Sequence, residues 1–401
     1  MSTSTTGKPV NGTPTPQRQR VDLRQYGILG ALVLIVVLFQ FLTGGRLLLP
    51  ANISNLIQQN AYVLILAIGM VIVIIAGHID LSVGSIVAMV GAIVAIAIMQ
   101  WNLPWPVAVI LGLAVGALIG AWQGFWVAFV GIPAFIVTLA GMLLFRGLTL
   151  VLLTGGTINA LPEGFVAIAK GTLPQSFGTM LGGHDVFTLI IALVVVAAIV
   201  LTGFRSRARR RKLDLPVESG TSFIVRNVVV SIAILAFAWL LSGHRGLPII
   251  LIILAVLILL YTFVLNRTVF GRNVYAIGGN RHAAQMSGIK VRWVDFFIFV
   301  NMGVLAALAG IVTSARAGGA VSSAGGSYEL DAIAAVFIGG AAVTGGVGTV
   351  VGAVVGAMIM GVLNMGLSIL TVDSAWQQVI KGMVLLLAVA FDVISKQRNR
   401  S

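Results

Sequence analysis

Apolar residues run along this chain in stretches of about 20, without two-residue alternation, the length a helix needs to cross roughly 30 Å of hydrocarbon. Polar and glycine-rich breaks divide them into twelve segments, at 27–44, 57–76, 83–100, 105–130, 133–153, 186–204, 223–242, 247–266, 294–315, 332–345, 349–370 and 376–394. The 332–345 stretch is short for a full span and reads as a re-entrant segment or a half-helix held among its neighbours. In lipid every backbone polar group needs an internal partner, and runs without alternation select helices over a barrel. The expected fold class is all-α, a polytopic transmembrane helical bundle of about 10–12 spans, short or broken helices included.

The basic residues provide an independent check on that division. Most of the 25 Lys and Arg fall in four segments: Lys8 to Arg24, Arg205 to Lys212, Arg267 to Arg292 and Lys396 to Arg400. Six apolar segments separate the first from the second, two the second from the third, and four the third from the last. Each number is even, so all four basic segments share one side. Short loops rich in Lys and Arg stay in the cytoplasm, which puts both termini there. Residues 1–24, rich in Ser, Thr, Pro and Gln, read as a disordered cytoplasmic tail with no signal-type cleavage site. Residues 25–395 read as a single transmembrane domain with a cytoplasmic loop at 267–293, and 396–401 as a second tail.

Composition agrees: 59% of residues are hydrophobic and 9% charged, against about 25% charged in soluble domains. A net charge of +14 raises nucleic acid as a partner, but no aromatic residue interleaves with Arg205 to Lys212 to make a stacking platform. Retention in the cytoplasm and attraction to anionic lipid account for the charge. The chain has no cysteine, which removes disulfides and thiolate chemistry. It has no GxxxxGK[ST], HExxH or GxSxG sequence, and its four His are scattered. ATP hydrolysis, a metal site and a serine nucleophile therefore find no support. Gly112, Gly116, Gly120 and Gly124 share a helix face, as do Gly348, Gly352 and Gly356, a spacing that lets helix backbones approach in lipid.

Three segments carry more. In Gly77 to Ser85, Asp80 and Ser82 sit between two apolar helices; each can cap the following helix, and an acid at membrane depth is also a candidate for a transport path. In 271–291, Asn280 is a good N-cap and Gly288 a good C′ residue, so 281–287 reads as a two-turn helix. It lies either on the membrane surface or against a partner that small Ala283, Ala284 and Ser287 let approach closely. In 328–348, Glu329 and Asp331 open an apolar segment interrupted by glycines, which fits either capping or a transport site. Asn60, Asn301 and Asn364 lie inside apolar runs, with Gln123 nearer an end, as interhelical hydrogen-bonding groups or as polar contacts to a transported solute. Arg146 and Lys381 lie in apolar stretches too, and are expected to snorkel or to pair with a carbonyl or an acid.

At these segments the sequence resembles the permeases of bacterial carbohydrate-uptake ABC transporters of the ribose, xylose and galactose type, over about residues 50 to 395. The resemblance is carried by Gly77 to Ser85, Pro133 to Gly147, Tyr275 to Gly288, Glu329 to Gly340 and Trp376 to Asp392. It is greatest to the xylose-type permeases, which share the run Phe135 to Met142 and an extra basic loop and helix pair at 205–266. His78 departs from the Gly or Glu usual before Ile79-Asp80-Leu81-Ser82. The resemblance implies a multi-pass subunit of the bacterial plasma membrane that works by alternating access as a homodimer. Its partners would be an ATP-binding cassette subunit, an extracytoplasmic sugar-binding protein and a monosaccharide, in membrane lipid and without nucleic acid. Asn280, Arg281, Ala283, Ala284, Ser287 and Gly288 would couple to the ATP-binding subunit. Asn60, Asp80, Ser82, Glu329, Asp331 and Asn364 are the translocation-path candidates. No catalytic residue, metal or cofactor is implied. The competing reading is an ion-coupled secondary sugar carrier, for which Asp80, Glu329 and Asp331 would be the coupling acids.

Overall fold

A computed structural model describes residues 23–398 apart from Gly155, Ser176, Leu181, Gly182, Asp214, Pro216 and Glu218. The expected N-terminal tail, up to residue 22, and the last three residues lie outside the described residues.

Helices dominate. They are α1 (Leu23–Leu42), α2 (Pro50–Ile75), α3 (Val83–Met99), α4 (Trp105–Phe125, prolonged by a π-helical turn, Trp126–Val130), α5 (Ala134–Leu153), α6 (Glu163–Lys170), α7 (Val186–Lys212) and α8 (Gly220–Ser242). There follow α9 (Ile249–Arg267), α10 (Val269–Gly279), α11 (Arg281–Met286), α12 (Val291–Ala317), α13 (Tyr328–Ile338), α14 (Val350–Ile369) and α15 (Ser374–Arg398). Among the described residues, 8 helices are long and apolar enough to cross a membrane: α2, α4 with its π-helical turn, α5, α7, α8, α9, α12 and α14. Each of the twelve segments read from the sequence holds a helix. The short 332–345 segment becomes the eleven-residue α13, which begins and ends earlier than the apolar run. Two helices, α6 and α10, were not anticipated.

Local chemistry sets many of the ends. Pro50 and Pro106 stand in the first turns of α2 and α4, where a missing N–H costs nothing. Asp185 accepts from the Phe187 and Thr188 N–H groups at the start of α7, and Thr349 accepts from Gly352 N–H at the start of α14. The bundle is centred on α2, α12 and α14, whose residues are mostly buried. By contrast α7 and α8 turn Leu193, Val194, Ile224 and Ile232 outward, as helices facing lipid do.

Glycines set the closest crossings. Along α4, Gly116, Gly120 and Gly124 face α12, while Gly112 packs chiefly on Val90 and Val94 of α3. A methyl built on Gly120 would stand 2.8 Å from Val300 Cα, one on Gly124 2.8 Å from the Phe296 carbonyl oxygen, and one on Gly116 would overlap Gly303 and Ala307. On α14, Gly352 and Gly356 seat against Gly339 and Ala335 of the α13 end. Overpacking such a contact costs about 1–3 kcal/mol, and more where backbone is the obstacle. Gly116→Leu is therefore expected to lower the unfolding temperature of the detergent-solubilised chain well below that of Gly147→Leu, whose side chain would enter open space. Equal melting of the two variants would refute the α4–α12 contact as a determinant of the bundle.

Two of the segments that interrupt the helical run are 76–82 between α2 and α3, and 318–327 between α12 and α13. The first opens on Gly77 with φ +83°, and Gly318 ends α12 with φ +71°. They approach one another where Gly84 packs on Gly325, neither leaving room for a side chain. Each carries an acid, a leucine and a polar residue beside its following helix: Asp80-Leu81-Ser82 precedes α3, and Glu329-Leu330-Asp331 lies in the first turn of α13. At the end opposite the basic loops, Thr157–Ile158 pairs antiparallel with Ala320–Val321, tying the connection after α5 to the second interruption.

Candidate functional site

The 269–291 loop builds a compact unit at the basic end of the bundle. Thr268 accepts from Gly271 N–H and starts α10. Asn280 accepts from Ala283 N–H at 2.9 Å and starts α11. Gly288 follows at φ +83°. A six-residue helix is marginal alone, and three contacts fix this one. Ala284 is 5% exposed and belongs to the apolar core, Ile289 N–H returns to the Ala284 carbonyl, and the Arg281 guanidinium forms an ion pair with Asp295 of α12. Ser287 Oγ donates to the Ala283 carbonyl at 2.9 Å.

The candidate coupling residues Asn280, Arg281, Ala283, Ala284, Ser287 and Gly288 therefore lie together, but they do not share one face. Ala284 turns towards the core of its own chain. The other five residues of α11 are exposed, and Met286, at 77%, is the large apolar side chain among them. Sequence reasoning passed over it, although an apolar side chain in so polar a loop was a signal. Beside α11 an open groove of about 380 Å³ runs between α10 and α12, with Phe270, Asn273, Ser287, Lys290, Trp293 and Phe297 in its lining.

Below this surface three distant segments converge. Gly346 N–H donates to the Ile75 carbonyl at 2.8 Å, and Gly278 fits against both residues with no room for a Cβ. Tyr275 OH donates to the Gly348 carbonyl at 2.7 Å. Burial pushes its phenol above the ordinary tyrosine range, so it stays a donor at physiological pH.

The interior candidates divide into three separate groups. In the first, Asp80 Oδ1 accepts from Ser82 N–H at 2.8 Å and Ser82 Oγ at 2.6 Å, and Gln123 Nε2 of α4 donates to Ser82 Oγ at 2.7 Å. Asp80 and Ser82 are fully buried, and Asp80 Oδ2 has no hydrogen-bond partner among the described residues. Asp80 thus shapes the approach to α3, whereas Ser82 is spent on Asp80 and Gln123 and makes no capping bond to the helix.

In the second, Asp331 takes Lys381 of α15 at 3.1 Å and Tyr62 OH of α2 at 2.8 Å, and the Tyr62 ring stacks on Tyr328 with centroids 3.6 Å apart. Glu329, two residues away, faces Gly84 instead. Arg146 donates to the Ser322 and Ala324 carbonyls at 3.1 and 2.7 Å, capping the second interruption.

In the third, Asn364 Nδ2 donates to Asn60 Oδ1 at 3.2 Å, while Asn60 Nδ2 reaches the Leu56 carbonyl at 2.9 Å. Both are buried, and the pair joins α14 to α2. Asn301 accepts from Tyr261 OH across α12 and α9. Among the described residues no group of three or more His, Asp or Glu is placed to hold a metal ion.

Comparison with known proteins fits this architecture. Residues 52–389 match the family model described as branched-chain amino acid transport system / permease component. The chain is 43% identical to the xylose transport system permease protein XylH of Haemophilus influenzae, over 94% of its own length and 98% of the relative. It is 41% identical to the protein of that name from Escherichia coli K12, over 94% of each. With the ribose import permease protein RbsC of Escherichia coli K12 it shares 34% identity over 85% of each. No solved structure matches the chain. With most of its length inside the family model and relatives aligned nearly end to end, this multi-pass membrane chain belongs to the branched-chain amino acid transport system / permease component family.

Proposed function

We propose that the chain is the membrane-spanning subunit of an ATP-driven importer of a monosaccharide, xylose or a related sugar. It is a transport subunit and not an enzyme: hydrolysis belongs to a separate ATP-binding subunit. The observation that carries this reading is the short capped helix α11 at the basic end of the bundle, fixed to the core through Ala284 and presenting Met286 outward. A helix too short to stand alone, anchored on one side and carrying an exposed methionine among polar residues on the other, suits a docking element for a cytoplasmic motor. Relatives matched along nearly the whole chain are named xylose and ribose permeases, which supports the class of cargo.

In this reading the basic side is cytoplasmic, with both termini there. Residues 25–395 form one permease domain, and 267–293 its coupling loop. Two permease copies enclose the path, an extracytoplasmic binding protein delivers the sugar, and ATP binding switches the pair between inward and outward access. The two interruptions lie nearest the translocation path, because irregular backbone at membrane depth is tolerated only where protein or a cavity surrounds it. Asp80, Ser82, Glu329 and Asp331 then contribute to the path, and Asn60 and Asn364 hold α2 to α14 beside it.

An ion-coupled carrier is less well supported, since one of its three acids, Asp331, is already neutralised by Lys381. Sugar uptake by cells carrying the complete system is expected to collapse on ATP depletion and to persist when an uncoupler removes the proton gradient. Uptake that follows the gradient instead would return the carrier reading.

A further inference from the structure

We propose that Asp295 is the joint through which α11 moves the 76–82 interruption, with His78 as the positioning residue on the membrane side. This rests on the reading of α11 as the docking helix. Asp295 lies in the first turns of α12 and is fully buried. Its two carboxylate oxygens go to two different segments, neither on its own helix: Oδ2 takes the Arg281 guanidinium of α11, and Oδ1 lies 3.2 Å from His78 Nε2. An ionised carboxylate only accepts, so His78 Nε2 carries the proton and donates.

The joint has a fixed side and two movable arms. α12 is clamped along its length by the glycine face of α4, which leaves no slack between the backbones, and packed interiors transmit displacement instead of absorbing it. The α11 arm is half-exposed at Arg281 and ends on the outward-facing Met286. The other arm begins at His78, directly after Gly77, and two residues further on reaches Asp80, whose Oδ2 is buried without a partner among the described residues.

A buried carboxylate is held only while its partners stay in place. A shift of α11 that draws Arg281 away therefore changes what Asp295 asks of His78, and the interruption has to respond. The parallel contact of Gly278 and Gly346 with the Ile75 carbonyl keeps the base of that interruption against the same unit. His78 thus sets the position of Asp80 according to the state of the docking helix.

The test uses the complete transporter, with its ATP-binding subunit and binding protein, in proteoliposomes, and reads ATP hydrolysed per sugar imported. His78→Ala is expected to raise that ratio roughly tenfold, inside the usual range for coupling between two sites, in a complex that still copurifies and still hydrolyses ATP. His78→Gln, which places an N–H at the same reach, is expected to return the ratio to within about twofold of the unmodified transporter. A rescue of this kind distinguishes a positioning role from simple space-filling. An unchanged ratio in His78→Ala overturns the proposal. So does a loss of uptake that merely tracks loss of assembled complex, which would make Asp295 a structural staple, and so does failure of glutamine to rescue. Should the unmodified complex import sugar without ATP, the docking reading itself has failed and takes this joint with it, a result visible before any variant is made.

Discussion

Met286→Asp is expected to strip the ATP-binding subunit from the solubilised transporter, weakening its association by about thirtyfold or more. Truncating a central apolar anchor costs about 2 kcal/mol or more, and each 1.4 kcal/mol is tenfold in affinity. An aspartate in its place adds the desolvation of a charge with no partner. The chain itself has little to lose. Met286 is the last residue of α11 and points outward, and surface changes usually fall within about 0.5 kcal/mol. Met286→Leu keeps the apolar volume and is expected to retain the partner. Copurification from membranes, followed by ATP-driven uptake, measures both. Retention of the subunit at unmodified affinity by Met286→Asp would remove α11 as the docking element. Ala284→Glu cannot serve this purpose. Its side chain would enter the core, so a lost complex would report a damaged permease rather than a damaged contact.

That contrast between neighbours shows where the sequence stops being legible. The spans were readable because lipid demands long uninterrupted apolar runs, and a helix occupies every segment so identified. The ends of α11 were readable because caps are local chemistry: Asn280 accepts one N–H, and Gly288 takes a positive φ. Which side of α11 faces inward was not, since six residues are too few to establish a periodicity.

α10 was missed for a related reason. Its Gly271, Asn273, Gly278 and Gly279 argue against a helix, and it holds because Thr268 caps it and Gly278 fits between Ile75 and Gly346. The α13 segment was shifted because its crossing is shared between the turns of 318–327 and a half-helix, so the apolar run does not coincide with the helix. Side-chain partnerships were the least legible part of the site. Asn60 and Asn364 were each singled out, but nothing in one sequence pairs residues three hundred positions apart. Asp295 left a weak trace, an acid just inside an apolar span, and only the structure supplies its two partners.

The ion pair of Lys381 with Asp331 sets up the other large effect. Asp331 is 3% exposed and Lys381 23%. Removing one member of a buried pair strands the other and costs about 3–5 kcal/mol, whereas replacing both by apolar residues of similar size is often neutral. Asp331→Leu is therefore expected to destabilise the folded chain by about that amount. Lys381→Met is expected to cost less, because Tyr62 OH still donates to the carboxylate that remains. The double variant is expected to regain most of the loss, a non-additivity that thermal unfolding of the three proteins in one detergent reads directly. Losses that simply add would show that the pair is too well solvated to matter, and would place α15 further from α13 than the 3.1 Å contact implies. Uptake by the double variant then separates two roles that stability cannot. If a stable Asp331→Leu/Lys381→Met permease still transports, the pair only holds α15 against α13. If it is stable and inert, the charge itself is needed along the path, because the fold has been restored without it.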